Sequence, residues 1–158
     1  MNPLRIVQDT LDFHRAGRVP ILEQPTIPPP ERVALRRSLL EEEISETLKA
    51  MTAEDLVEIA DGIADSIVIL AGTALEYGID LTPVWEAVHQ SNMAKFPPCE
   101  PCAGSGTPPQ GSIWDQGSQC PDCEGTGRQL ILREDGKVLK PAGWQKPDIA
   151  SVLARQTR

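Results

Sequence analysis

Between residues 53 and 77 two opposed chemistries share one helical period. Leu56, Val57, Ile59, Ala60, Ile63, Ala64, Ile67, Val68 and Leu70 are apolar, and Glu54, Glu58, Asp61 and Asp65 recur among them every three or four residues. At about 100° per residue the four acids fall within about 60° of one another. The segment therefore reads as a helix that is apolar almost all round and carries one narrow acidic stripe. Such a helix is expected to be mostly buried, so the rest of the chain must supply helices that cover it. Like charges at these spacings repel, no Lys or Arg on the segment offsets them, and burying them unpaired is costly.

The flanking sequence supplies the helices. Residues 3–16 read as a first helix, capped by Asn2, with Pro3 in its first turn and Gly17 as its stop. Residues 18–30 form a connector ending in Pro28-Pro29-Pro30, which is extended. A second helix is expected over 31–50. After a short break the third runs over 53–77, with Thr52 and Asp55 as a capping-box pair and Gly78 as its stop. Thr82-Pro83 reads as the cap and first position of a fourth helix reaching residue 95. Toward the C-terminus, 129–133 has the composition of a short strand, Asp135-Gly136 marks a turn, and a turn of helix follows Asp148. The fold class is all-α, a helical bundle with a loop-rich insertion.

The acids concentrate further upstream. On the second helix Glu42, Glu43 and Glu46 lie within about 100° of one another. Residues 41–65 hold nine acids and one base, Lys49, an excess equal to the net charge of the whole chain, −8. That balance argues against nucleic acid as a partner. Two such helices packed antiparallel aim carboxylates at each other, and a divalent cation resolves the repulsion. All-oxygen ligands suit Mg²⁺ or Mn²⁺. The competing reading is an acidic face that is solvated or meets a basic partner. A di-iron bundle needs paired Glu-x-x-His motifs, and only Glu86 and His89 have that spacing.

A second metal signal follows. Cys99-Glu-Pro-Cys102-Ala-Gly-Ser-Gly and Cys120-Pro-Asp-Cys123-Glu-Gly-Thr-Gly are two C-x-x-C-x-G-x-G halves. Their spacing points to one tetrahedral four-thiolate Zn²⁺ site, with two disulfides as the alternative. Four protein ligands leave no open position, so the role expected of the zinc is structural, in a module too small to build its own core. The halves resemble the zinc knuckles of DnaJ-type chaperones. No segment is long and apolar enough for a membrane span, and the first residues lack an apolar signal core, so a cytoplasmic location is expected.

Taken together, Glu42-Glu43-Ile-Ser-Glu46 and Glu58-Ile-Ala-Asp61-Gly-Ile-Ala-Asp65 resemble the E-E-x-x-E and E-x-x-D signature of MazG-like all-α NTP pyrophosphohydrolases. Ser91-Asn-Met-Ala-Lys95-Phe, Asp135-Gly-Lys137-Val-Leu-Lys140-Pro and Gly143-Trp-Gln-Lys-Pro-Asp148 are similar to segments of the phage-type branch. The resemblance implies hydrolysis of a (deoxy)nucleoside triphosphate, in its narrowest form dGTP or GTP, to the monophosphate and pyrophosphate. It implies a homodimer or homotetramer, in the host cytoplasm if phage-encoded. It also implies roles: Glu43, Glu46, Glu58, Asp61 and Asp65 as metal ligands, Glu42, Glu43, Glu46 and Asp61 in the catalytic set, and Asn92, Lys95, Lys137 and Lys140 on the nucleotide. Two registers of the second motif stay open, Glu58/Asp61 and one that uses Asp65. Phe13, His14, Trp85 and Trp144 are able to stack on a base or to pack. Arg36 and Arg37 precede the acids and are read as partners for ion pairs on their own helix. The division expected is a helical metal-binding core over 1–96, a zinc module over 97–128 and a segment over 129–158 that completes the nucleotide site. The alternative function is a zinc-knuckle adaptor on a helical scaffold without catalysis.

Overall fold

The computed structural model describes residues 3–108 and 119–157. Asn2, the expected cap of the first helix, lies outside the described residues. Among them are α1 (Pro3–Gly17), α2 (Pro30–Thr52), α3 (Leu56–Glu76), α4 (Leu81–Met93) and α5 (Ile149–Ala154). Only two isolated bridges accompany them, Pro98 with Arg128 and Leu132 with Val138, so the class is all-α as expected. The strand expected over 129–133 does not form. Its backbone makes one tight turn at Asp135-Gly136, with Arg133 N–H donating to the Lys137 carbonyl at 2.9 Å, and a lone ribbon this short is marginal.

The chain divides into two compact units, Met1–Val84 with Ile149–Arg158, and Trp85–Asp148. In the first unit α3 packs against both α1 and α2. The α2–α3 pair is antiparallel and nearly residue for residue. Arg32 reaches Glu76, Arg36 reaches Thr73, and a methyl group at Gly62 would lie 2.5 Å from Thr47 Oγ1. Interpolating that register puts Glu43 opposite Asp65 and Ser66.

Backbone geometry explains the tight α2–α3 connection. Glu54 takes a left-handed conformation, φ 55°, and the N–H groups of Glu54 and Asp55 donate to the carbonyls of Met51 and Ala50. This is a Schellman ending. Asp55 then starts the next helix, its Oδ1 accepting from the Val57 and Glu58 N–H groups at 3.1 and 3.3 Å. The cap is therefore Asp55 rather than Thr52, whose hydroxyl donates back to the Leu48 carbonyl and so belongs to α2. Likewise Asp80, not Thr82, caps α4, accepting from Thr82 N–H at 2.9 Å. At the end of α1 the left-handed residue is Arg18, φ 52°, with Gly17 still helical.

The expected burial of α3 holds only along its seams. Its buried residues are mainly small, Gly62, Ser66, Ala71, Gly72 and Ala74, together with Glu76. Leu56 and Val57 are 78% and 75% exposed, and Ile63, Val68 and Leu70 are also open. The helices of one chain are too few to cover every face of a helix that is apolar all round.

Gly78 ends α3 with φ 65°, and the connector passes so close that a side chain there would run into the Gln24 backbone. Gly78→Ala is therefore expected to lower stability by about 2 kcal/mol, from the left-handed penalty plus the clash. Denaturant unfolding measures this, and an unchanged midpoint would refute the packing described.

Candidate functional site

Two candidate sites, a cluster around Trp144 and one buried network emerge among the described residues. The first site is a cleft of about 460 Å³ between α2 and α3, lined by Glu43, Glu46, Asp55, Glu58, Asp61 and Asp65, with Lys49 as the one basic side chain among its lining residues. The antiparallel register produces it, because the acidic turns of both helices lie near the same end of the pair. Glu43 lines the end of the cleft farthest from the α2–α3 turn. Desolvation, then the charges of Asp65, Glu46, Glu42 and Asp61 in that order, raise its pKa above the ordinary carboxylate value. Asp55, unanticipated as a lining group, is drawn in by its capping position. Glu42 is exposed and is not among the lining residues.

The donor chemistry of this cleft is that of a hard divalent cation: carboxylate oxygens, with no sulfur or imidazole among the lining residues. The carboxylates are splayed. Among the described residues only the four cysteines bring three or more His, Cys, Asp or Glu ligand atoms within 4.8 Å of one another. Glu46, Glu58, Asp61 and Asp65 are exposed, so solvent relieves part of their repulsion, and the half-buried Glu43 keeps the rest.

The four thiols form the second site. Cys99 and Cys120 Sγ are 4.0 Å apart, Cys102 and Cys123 Sγ 3.8 Å, and all four are buried and free. A tetrahedron of sulfurs about 2.3 Å from a central Zn²⁺ has edges of about 3.8 Å, so the cage has the right size. The two halves repeat each other at an offset of 21 residues. Cys99 N–H donates to the Gly127 carbonyl and Cys120 N–H to the Gly106 carbonyl, both at 2.9 Å. Gly106 and Gly127 N–H groups donate to the sulfurs of Cys102 and Cys123 at 3.3 Å. The glycines are required here: φ is 79° at Gly106 and 69° at Gly127, and side chains would strike the opposite knuckle. Burial pushes the Cys99 thiol up to about 12. Burial also opposes the Cys102 thiolate, but the Gly106 N–H and neighbouring thiols donate to it and hold it at about 6.

Within the second unit the expected nucleotide residues cluster around Trp144. Lys140 Nζ lies 4.0 Å from its ring centre and Lys95 Nζ 6.0 Å. Lys95 Nζ donates to Asn92 Oδ1 at 2.8 Å. Trp144 Nε1 donates to the Ser91 carbonyl at 2.7 Å, and Ser91 Oγ donates to the Gln145 carbonyl. The Ser-Asn-Met and Gly-Trp-Gln segments are thus stitched together. Lys137 is not part of this group; its N–H donates to Asp135 Oδ1 in the turn.

The sequence reading missed the network. Arg32 binds both oxygens of Glu76, at 2.8 and 2.7 Å. Arg36, expected to pair along its own helix, instead crosses to α3. It donates to Thr73 Oγ1 at 3.1 Å, to the Ile69 carbonyl, and to Glu76 at 3.5 Å. Arg37 does pair within α2, with Glu41. His14 is buried rather than open to a base. Burial lowers its pKa, against a 3.4 Å contact to the Pro20 carbonyl that raises it. Phe13 and Trp85 are exposed.

A family model described as phosphoribosyl-ATP pyrophosphohydrolase matches residues 11–92, just over half of the chain. The matched stretch contains the whole acidic cleft and ends before Cys99. No curated protein matches the chain.

Because the folded state raises the Glu43 pKa, ionising this group costs stability as pH rises through and above its ordinary value near 4.5. In chelator at pH 7, Glu43→Gln should therefore be more stable than wild type by about 0.5 kcal/mol, a gain that vanishes below about pH 4. Thermal melts across that range test this, and a destabilised variant at pH 7 would contradict the crowding inferred at Glu43.

Proposed function

The chain belongs to the phosphoribosyl-ATP pyrophosphohydrolase family, within the MazG-like all-α NTP pyrophosphohydrolase superfamily, and on that footing we propose that it cleaves a nucleoside triphosphate to monophosphate and pyrophosphate with Mg²⁺ or Mn²⁺. Membership carries pyrophosphohydrolase activity on nucleotide-like substrates. The observation that supports the triphosphate reading is the cleft itself: carboxylates from two helices line one cavity inside the matched segment.

Glu43, Glu46, Glu58 and Asp61 would hold the cation, with Asp65 or Glu42 completing the set. The bound cation supplies charge neutralisation for the triphosphate and an acidified water. Glu42, near the cluster but less desolvated, is the candidate acceptor of that water's proton. Lys95 and Lys140, with Asn92 and Lys137, would offset phosphate charge, and Trp144 between the two lysines would offer a face to the base. Preference for a guanine nucleotide and a role in phage nucleotide supply are the narrowest form of this reading. They rest on the resemblance carried by residues 91–96, 135–141 and 143–148. The family's own name makes phosphoribosyl-ATP the comparison substrate.

The four-cysteine module, 97–128, would hold one structural Zn²⁺, and 129–158 would complete the nucleotide site around the core, 1–96. A second copy of the chain is the proposed cover for the open apolar side chains of α2 and α3, among them Ile44, Leu48, Leu56 and Val57.

Two measurements test this reading. A panel of nucleoside triphosphates and phosphoribosyl-ATP, with Mg²⁺ or Mn²⁺, should yield pyrophosphate from at least one triphosphate, and Glu46→Ala or Asp61→Ala should cut turnover at least about a hundredfold. Release of pyrophosphate from phosphoribosyl-ATP alone would replace the proposed substrate, and full activity in both variants would remove the metal assignment. Elemental analysis should find one zinc per chain, lost in Cys99→Ser. Absence of zinc from protein purified without chelator would refute the structural site.

A further inference from the structure

The acidic layer of the α2–α3 seam is poorly satisfied by its own contacts. Glu43 faces Asp65 and Ser66 in a field of like charge, and the buried Ser66 Oγ has no hydrogen-bond partner. The remaining buried α3 residues along the helix are small, and the tight connection at Asp55 with the close approach of Gly62 to Thr47 fixes only one end of the pair. Directional contacts lie about two and about three turns away on α2, at Arg36 and Arg32. Glu76, with its side chain fully buried, takes both oxygens to Arg32, and Arg36 spends its donors on Thr73, the Ile69 carbonyl and Glu76. Bidentate pairing of this kind is geometrically exacting. His14 of α1 closes the network from the other side: a methyl group at Gly72 would lie 2.6 Å from its Nε2 and 2.9 Å from an Arg36 nitrogen.

We propose that Arg32, Arg36 and Glu76 are positioning residues, a buried lock that holds α2 and α3 in the one register where the carboxylates of Glu43 and Glu46 face those of Asp61 and Asp65. The inference rests on the cation-binding reading of the cleft. With the Asp55 end tethered, loss of the far contacts would let α2 tilt or rotate on α3 and carry Glu43 away from Asp65. The lock therefore acts at a distance on the cleft, through the rigidity of the two helices.

The test is the full-length triple variant Arg32→Met, Arg36→Met, Glu76→Met, which removes the whole network and leaves no unpaired buried charge, a replacement that buried ion networks commonly tolerate. Arg32→Met alone is the milder companion, because Arg36 still holds Glu76. Each is compared with wild type by thermal melting, by Mn²⁺ titration followed by electron paramagnetic resonance, and by kcat and KM. With a melting temperature close to wild type, the triple variant should need at least about tenfold more Mn²⁺ for half-saturation and lose at least about tenfold in kcat, since misplacements of about 1 Å cost on that scale. If the triple variant does not fold, Arg32→Met decides: weaker Mn²⁺ binding in a folded protein supports the lock. Folded variants with wild-type Mn²⁺ binding and kcat overturn it and leave the functional reading standing. A wild-type protein that neither binds Mn²⁺ nor turns over any nucleotide overturns the functional reading, and the lock with it.

Discussion

Mutual repulsion of carboxylates across the α2–α3 seam is the constraint that the rest of the first unit is arranged around. Desolvation first, and then the charges of Asp65, Glu46, Glu42 and Asp61, raise the pKa of Glu43. Nothing in a polypeptide makes such a layer favourable by itself. It persists because the ends of the two helices are fixed elsewhere. At one end Asp55 serves both as the last contact of the α2 ending and as the cap of α3. At the other, Arg32 and Arg36 close on Glu76. Between these anchors Gly62 lets α3 approach Thr47 closely, so the acids cannot retreat by moving the helices apart.

The second unit solves a different problem. Among the described residues near the cysteines, the buried cluster is the four thiols. The paired knuckles frame it with cross-donated backbone hydrogen bonds and with sulfurs set at the edge length of a zinc tetrahedron. In the same unit the indole of Trp144 is held by the Ser91 carbonyl and faced by Lys140, which gives an aromatic plane beside cationic groups. The two candidate ligand sets differ in donor type, oxygen in the first unit and sulfur in the second.

Most helices were legible in the sequence because their signals are local. Apolar period, Pro at the start and Gly past the end placed the first four within a few residues of their observed bounds, although α4 stops at Met93 rather than at 95. Caps were read less well. Thr52 and Thr82 have the right chemistry, but Asp55 and Asp80 accept the N–H groups, because each directly precedes the first residue of its helix. The acidic cleft was legible because its residues repeat at helical spacing. The network at Glu76 was not: its partners lie 44 and 40 positions away, and Arg32 and Arg36 look like ordinary surface residues of an amphipathic helix. Nor was the exposure of Leu56 and Val57, because periodicity shows that a face is apolar without showing whether this chain covers it. The contact of Trp144 with Ser91 spans 53 residues and leaves no local pattern.

On the proposed reading, oxygen ligands from α2 and α3 converge on a shared cation. Anomalous scattering from Mn²⁺ introduced into crystals of the full chain tests it most directly. A peak between the two helices, within bonding distance of carboxylates from both Glu43 or Glu46 and Asp61 or Asp65, is the predicted result. Manganese found only on the exterior, with no peak between α2 and α3, would contradict it.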